Sequence, residues 1–150
     1  LPESRRMSIA LGRPETADEL HAYYDFRWRM LRRPWGQPRG SEIDRFDDSA
    51  YHVFARDGPM IIGVGRIHRV DEVSMQIRYM AVAPSRRGQG IGTRILQALE
   101  QHAADLDSQR LILHAREKAV PFYSRVGYTH AGPSHILFGS IRHFLLHKFR

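Results

Sequence analysis

A single α/β domain, built on a mixed, twisted sheet of about six or seven strands flanked by helices, is the fold class the sequence predicts. Three observations predict it. Strand-length segments rich in β-branched and aromatic residues alternate with stretches of helical period; a loop with three glycines joins one such strand to one such helix; and no repeat, linker or low-complexity run divides the 150 residues. A chain of this length buries roughly 68–70% of the surface exposed by its unfolded form, enough for a self-standing core. One domain over residues 1–150 is therefore expected, with residues 1–7 read as a disordered or added extension and Met7 as a natural start.

The elements follow in order. Residues 8–11 read as a short first strand ended by Gly12-Arg13-Pro14, and Thr16-Ala17-Asp18-Glu19 reads as a capping box that opens a helix. Leu20, Tyr23 or Tyr24, Arg27 and Leu31 continue that helix at its period until Pro34 stops it. Two prolines and two glycines mark residues 32–40 as an irregular loop carrying Trp35. Residues 51–56 and 60–70 form a hairpin about Asp57-Gly58, and residues 75–82 continue the meander into the glycine loop. Ile91, Ile95, Leu99 and Leu106 mark the buried face of a second helix. Residues 110–115 are a short apolar strand and residues 117–126 a short helix closed by Gly127; Tyr128 onward is further strand, with residues 134–138 and 141–149 a last hairpin about Gly139-Ser140.

Composition removes several function classes. Hydrophobic residues at 42% and charged residues at 26% are those of an ordinary globular protein. The absence of cysteine excludes disulfides, thiolate metal sites and cysteine nucleophiles, and fits a reducing cytoplasm. No apolar run approaches the roughly 18 residues of a membrane span, so a soluble, cytoplasmic protein is expected. The formal net charge of +7 invites acidic partners, but the arginines are scattered and form no basic helix, so neither nucleic acid nor membrane is expected as a partner. Nine histidines include no His-Glu-x-x-His arrangement and no Gly-x-Ser-x-Gly elbow exists, so neither a metal nor a serine hydrolase is expected.

The glycine loop carries the chemistry. Val82-Ala83-Pro84-Ser85-Arg86-Arg87-Gly88-Gln89-Gly90-Ile91-Gly92-Thr93 leads from strand to helix, as an anion cradle does: glycines let the backbone approach closely, amide N–H groups turn inward, and the helix adds the positive end of its dipole. A nucleotide-hydrolase loop needs a terminal Gly-Lys-Ser/Thr, and a dinucleotide fingerprint needs a differently placed third glycine. The run Arg87-Gly88-Gln89-Gly90-Ile91-Gly92 instead resembles the Arg/Gln-x-x-Gly-x-Gly/Ala signature of the GNAT superfamily of N-acetyltransferases. About 30 residues on, Ala119-Val120-Pro121-Phe122-Tyr123-Ser124-Arg125-Val126-Gly127-Tyr128 resembles a second element of that superfamily, in the expected order.

The resemblance implies a splay between the fourth and fifth strands and acetyl-CoA as cosubstrate. It implies pantetheine held by backbone near Ala81 and Val82, pyrophosphate held by Arg87, Gly88, Gln89, Gly90, Ile91, Gly92 and Thr93, Phe122 beside the cofactor, and Tyr123 as general acid toward the thiolate. Many members carry an asparagine where this chain has Arg116. Histone-modifying relatives carry a catalytic glutamate where this chain has Gln76, which cannot accept a proton, so deprotonation is sought from His68, Glu72, His143, a chain of waters or the free-amine fraction in bulk. Tyr24, Arg27, Trp35 and His143 are expected substrate contacts, and the acidic run Glu42, Asp44, Asp47 and Asp48 could attract a cationic amine. The expected activity is acetyl transfer to a primary amine of a small molecule or peptide by direct attack on the thioester. A non-catalytic acyl-CoA-binding sensor is the alternative, and pairing of the terminal strand into a homodimer is left open.

Overall fold

The computed structural model describes residues 8–150, so the reading of residues 1–7 lies outside the described residues. Its elements are β1 (Ile9–Gly12), α1 (Ala17–Leu31), β2 (Tyr51–Asp57), β3 (Met60–Arg69), β4 (Ser74–Val82), α2 (Ile91–Asp105), β5 (Arg110–Arg116), α3 (Val120–Arg125), β6 (Thr129–Leu137) and β7 (Ile141–Phe149). The seven strands form one sheet in the order β1-β2-β3-β4-β5-β7-β6. Every pairing is antiparallel except β4 with β5.

Local chemistry accounts for the element ends. The capping box at α1 is formed as expected: the Glu19 N–H donates to Thr16 Oγ1 at 3.0 Å, and the Thr16 N–H donates to Glu19 Oε1 at 3.0 Å. The loop after α1 departs from the expectation of no regular structure, because Pro34 sits in the first positions of a 3-10 turn, Arg33–Trp35, where its missing N–H is tolerated. Pro121 acts in the same way. Residues Glu117–Ala119 form a 3-10 turn, and the α-helix begins only at Val120, later than the sequence suggested. β6 starts at Thr129, where strand was expected from Tyr128 onward, and register shifts between His130 and Gly132 and between Pro133 and Ile136 accommodate Gly132 and Pro133 on an edge strand.

The two long helices cover opposite faces of the sheet, as side-chain alternation in β2 requires. Val53 and Ala55 join the core under α2 with Ile91, Ile95, Leu96, Leu99 and Ala103, while Phe54 between them packs with Tyr23 and Phe26 of α1 and with Val64.

Two irregularities position the site. Val64 pairs with Ala81 and Arg66 with Arg78, so Gly65 faces both Tyr79 and Met80 across a β-bulge. Tyr79 has φ +59°, unusual for a bulky residue. Second, the parallel ladder of β4 with β5 runs only from Ser74 with Arg110 to Ile77 with Leu113, while β5 continues along β7 to Arg116. Past Ile77 the two strands part, leaving the β5-facing edge of residues 78–82 outside the ladder.

Candidate active site

Two cavities open where β4 and β5 part. A groove of about 760 Å³ runs from residues 80–82 of β4 over the glycine loop to the first turn of α2 and is closed by the end of α1 and by α3. Ala81, Val82, Arg87, Gly88, Gly90, Ile91, Gly92, Thr93 and Phe122, all singled out from sequence, line it. Gln89 does not; its side-chain oxygen instead accepts from Arg86 Nε at 3.3 Å. Sequence reading missed the wall contributed by Met30 and Leu31, because only the assembled fold brings the end of α1 there.

The loop geometry suits an anion. Gly88 and Gly90 both have φ +78°, and Gly90 is the residue before α2, where no side chain caps the helix. The first-turn N–H groups of α2 are therefore left to a ligand. Arg86 is tied back to Asp57 by a 2.8 Å ion pair, whereas no salt bridge among the described residues engages Arg87, Lys118 or Arg125, which also line the groove. An uncapped helix end, unneutralised cations and a free strand edge fit a long ligand that carries phosphates at one end and amides along its length.

The second cavity, about 340 Å³, lies on the other side of the parted strands between Gln76–Met80 of β4, the end of β5, and β6 and β7. Leu31, Met80, Arg116, Ala119 and Tyr123 line both cavities, so Tyr123 stands at their junction. Its ring is buried edge-on to Phe122 and Tyr128, at 5.0 and 5.7 Å between centroids. Burial raises its pKa, so the phenol keeps its proton at neutral pH.

Of the expected substrate contacts, only His143 lines the acceptor cavity. Its Nδ1 lies 3.0 Å from the Ile141 carbonyl; because a carbonyl only accepts, Nδ1 carries the proton of the neutral ring and Nε2 the lone pair. Burial lowers its pKa, and nearby His135, Arg116 and His114 lower it further. His114 and His135, which sequence reading did not single out, line the same cavity.

The other three expected contacts lie elsewhere. Arg27 is fully buried: Nη1 donates to Asp47 Oδ1 at 2.9 Å and to the Glu42 carbonyl at 3.1 Å, and Nη2 donates to the Tyr23 hydroxyl at 3.1 Å. Tyr24 packs beside His52 and Arg27, and Trp35 stacks on Phe138 at 6.4 Å, neither lining either of these two cavities. Three of the four acidic residues of the run are likewise engaged, and the fourth, Asp48, is exposed and lines neither cavity. Asp47 and Asp44 pair with Arg27, Arg66 and Arg78, and Glu42 accepts from the Gly40 N–H. Among the described residues no cluster of His, Asp or Glu is placed to hold a metal ion.

Comparison with known proteins places this geometry in a family. An uncharacterized N-acetyltransferase of Bacillus subtilis, YjcF, is 33% identical over 131 residues, covering 87% of this chain and 93% of that protein. A solved structure from Lactobacillus plantarum matches the fold with a TM-score of 0.82 at 21% identity, over 95% of this chain and 98% of that one. A GNAT family acetyltransferase from Elizabethkingia anophelis, solved with acetyl-CoA bound, matches with a TM-score of 0.73 at 20% identity, over 95% and 99%. Residues 20–128 match the model of the Acetyltransferase (GNAT) family. The chain belongs to that family and is an acyltransferase.

Proposed function

We propose that the protein transfers the acetyl group of acetyl-CoA to a primary amine of a small molecule, by direct attack of the neutral amine on the thioester. Acetyl-CoA supplies an activated acyl group on a good thiolate leaving group. The free edge of β4 at residues 78–82 offers backbone groups to pantetheine, and the amides of residues 88–93 with Arg87 hold the pyrophosphate. A new N–C bond forms as the C–S bond breaks. The amine proton passes to His143 Nε2, directly or through water, and the departing sulfur takes the proton of Tyr123; proton exchange with solvent restores both groups.

The observation that carries this reading is the position of Tyr123, shared by the cofactor groove and the acceptor cavity, with a hydroxyl that makes no hydrogen bond among the described residues. Replacing it by Phe removes only that oxygen. The Tyr123→Phe enzyme is expected to lose about 10²-fold or more in kcat, while its affinity for acetyl-CoA, measured by calorimetry, stays the same. Unchanged turnover removes Tyr123 from the chemistry. Tight acetyl-CoA binding without turnover of any amine by the unaltered protein favours a non-catalytic acyl-CoA-binding module instead.

A further inference from the structure

We infer that the acceptor amine also carries an anionic group, a carboxylate or a phosphate monoester, held by Arg32 and Arg116. The inference rests on the acetyl-transfer reading above and concerns the acceptor alone.

The wall of the acceptor cavity contains Arg32, Arg78 and Arg116 together with three histidines, and no Asp or Glu. Of these arginines only Arg78 is neutralised, by Asp44 at 2.8 Å. Arg32, 7% exposed, meets only neutral groups: Nε donates to Ser41 O and Nη1 to Leu31 O, each at 3.0 Å, and, against the larger effect of burial, the Tyr79 phenol also favours its charged form. Its guanidinium lies 5.6 Å from the Tyr79 ring and 5.4 Å from the Phe138 ring, and no carboxylate pairs with it among the described residues. The Arg116 side chain makes neither a hydrogen bond nor an ion pair among the described residues, though its backbone pairs with His143 in the sheet. Its charged form is disfavoured first by burial, then by Arg32 and by Arg87.

Two partly desolvated guanidiniums that repel each other and lack a counter-ion are costly to hold, unless something that binds between them supplies the missing charge. A carboxylate or phosphate does so with paired, charge-assisted hydrogen bonds that match the guanidinium fork. A polyamine or a lysine-rich peptide brings further positive charge to a wall with no acid. The cavity volume suits a small molecule. Gln76 stands where a carboxylate base could have been, which leaves His143 Nε2 in the same cavity to take the amine proton.

Arg116 also borders the cofactor groove, so Arg32, which borders only the acceptor cavity, carries the test. Matched short amines are compared as acceptors: butylamine, 1,4-diaminobutane, 4-aminobutyrate and 3-aminopropyl phosphate. Release of the CoA thiol is followed colorimetrically, with no background because the chain has no cysteine. One or both anionic amines are expected to exceed butylamine in kcat/KM by about tenfold or more, and the diamine to be the poorest; which anion wins identifies the group. In Arg32→Gln, kcat/KM for the preferred anionic amine is expected to fall about tenfold more than that for butylamine, with partial recovery in Arg32→Lys. Gln76→Glu, which adds a carboxylate to the wall in nearly the same shape, is expected to move the ratio of anionic amine to diamine toward the diamine. That ratio reads charge even if the new carboxylate also acts as a base.

Equal use of the four amines, or preference for the diamine, overturns the inference. If none is turned over, the readout is the melting temperature of the acetyl-CoA complex, where selective stabilisation by the anionic amines supports the inference and equal or absent stabilisation overturns it. Retained stabilisation by acetyl-CoA alone, together with turnover of any amine, then shows that only the acceptor assignment has failed.

Discussion

Asp47, 4% exposed, accepts from two fully buried guanidiniums, Arg27 at 2.9 Å and Arg66 at 3.1 Å, while its other oxygen accepts from the Asp44 N–H at 2.8 Å. Arg66 also donates through Nη2 to His68 Nδ1 at 3.0 Å, and His68 stacks on Phe46 at 4.3 Å. A guanidinium can only donate, so His68 must be neutral to accept. Its pKa is pushed down to about 4 from 6.5, by burial first, then by Arg66 and Arg78 against the opposing pull of Asp44 and Asp47. Because the folded value lies below the unfolded one, stability is undiminished above pH 6.5. It falls as pH drops, since the unfolded chain takes up a proton that the folded chain refuses until about pH 4. The urea midpoint is therefore expected to fall between pH 6.5 and 4, and His68→Gln is expected to flatten part of that slope; His52, lowered in the same direction by burial, accounts for some of the remainder. An identical slope in His68→Gln contradicts this account. None of this was legible in the sequence. Arg27 falls at helical spacing and Asp44 and Asp47 in an acidic run, but arginines and aspartates are usually exposed, and only the tertiary meeting of α1, β3 and residues 42–48 makes them a polar core.

Elements with local signals were read well. The Thr16–Glu19 box, the Ile91, Ile95 and Leu99 stripe of α2 and the glycines of the loop each need only neighbouring residues to declare themselves, whereas Leu106, expected on the same buried face, falls at the cap after α2 and is 45% exposed. The β4 bulge does not, since nothing about a tyrosine announces φ +59°. Its surroundings hold it. Four guanidiniums lie around the Tyr79 ring: Arg27 at 4.1 Å, Arg78 at 4.5 Å, Arg66 at 4.9 Å and Arg32 at 5.6 Å, contacts worth about 0.5–2 kcal/mol each. The extra residue bends β4 beyond the point where its pairing with β5 ends, which opens the site. Opposite the bulge, a Cβ on Gly65 would lie 2.6 Å from Met80 Sδ and 2.7 Å from Ile95 Cγ2. Gly65→Ala must therefore push α2 or the bulge away, and is expected to cost about 1–3 kcal/mol in urea unfolding. Since Met80 lines both cavities, a raised KM for acetyl-CoA should accompany that loss. An unchanged midpoint contradicts close packing at this point.

Over the whole molecule the strand order was the least legible feature. A terminal hairpin was expected, but the insertion of β7 between β5 and β6 is a long-range pairing with no local signature, and it brings His135 and His143 opposite Tyr123. The charge balance gains meaning in the same way. A net +7 spread along the sequence reads as general basicity, whereas the folded chain gathers Arg87, Lys118 and Arg125 around one groove, none of them engaged by a salt bridge among the described residues. Such a groove attracts a polyanionic cofactor, and the attraction weakens with salt. Acetyl-CoA at a hundredfold excess over its dissociation constant adds about 2.7 kcal/mol to folding stability, and a domain of this size gains roughly 2–4 °C per kcal/mol, so a rise of roughly 5–11 °C in melting temperature is expected. At a fixed subsaturating concentration that rise should shrink as sodium chloride increases, because screening acts on the proposed phosphate contacts and not on the proposed pairing of pantetheine with β4. A rise that is indifferent to salt would locate the binding energy along the strand edge instead, and no rise at all would remove the groove from cofactor binding altogether.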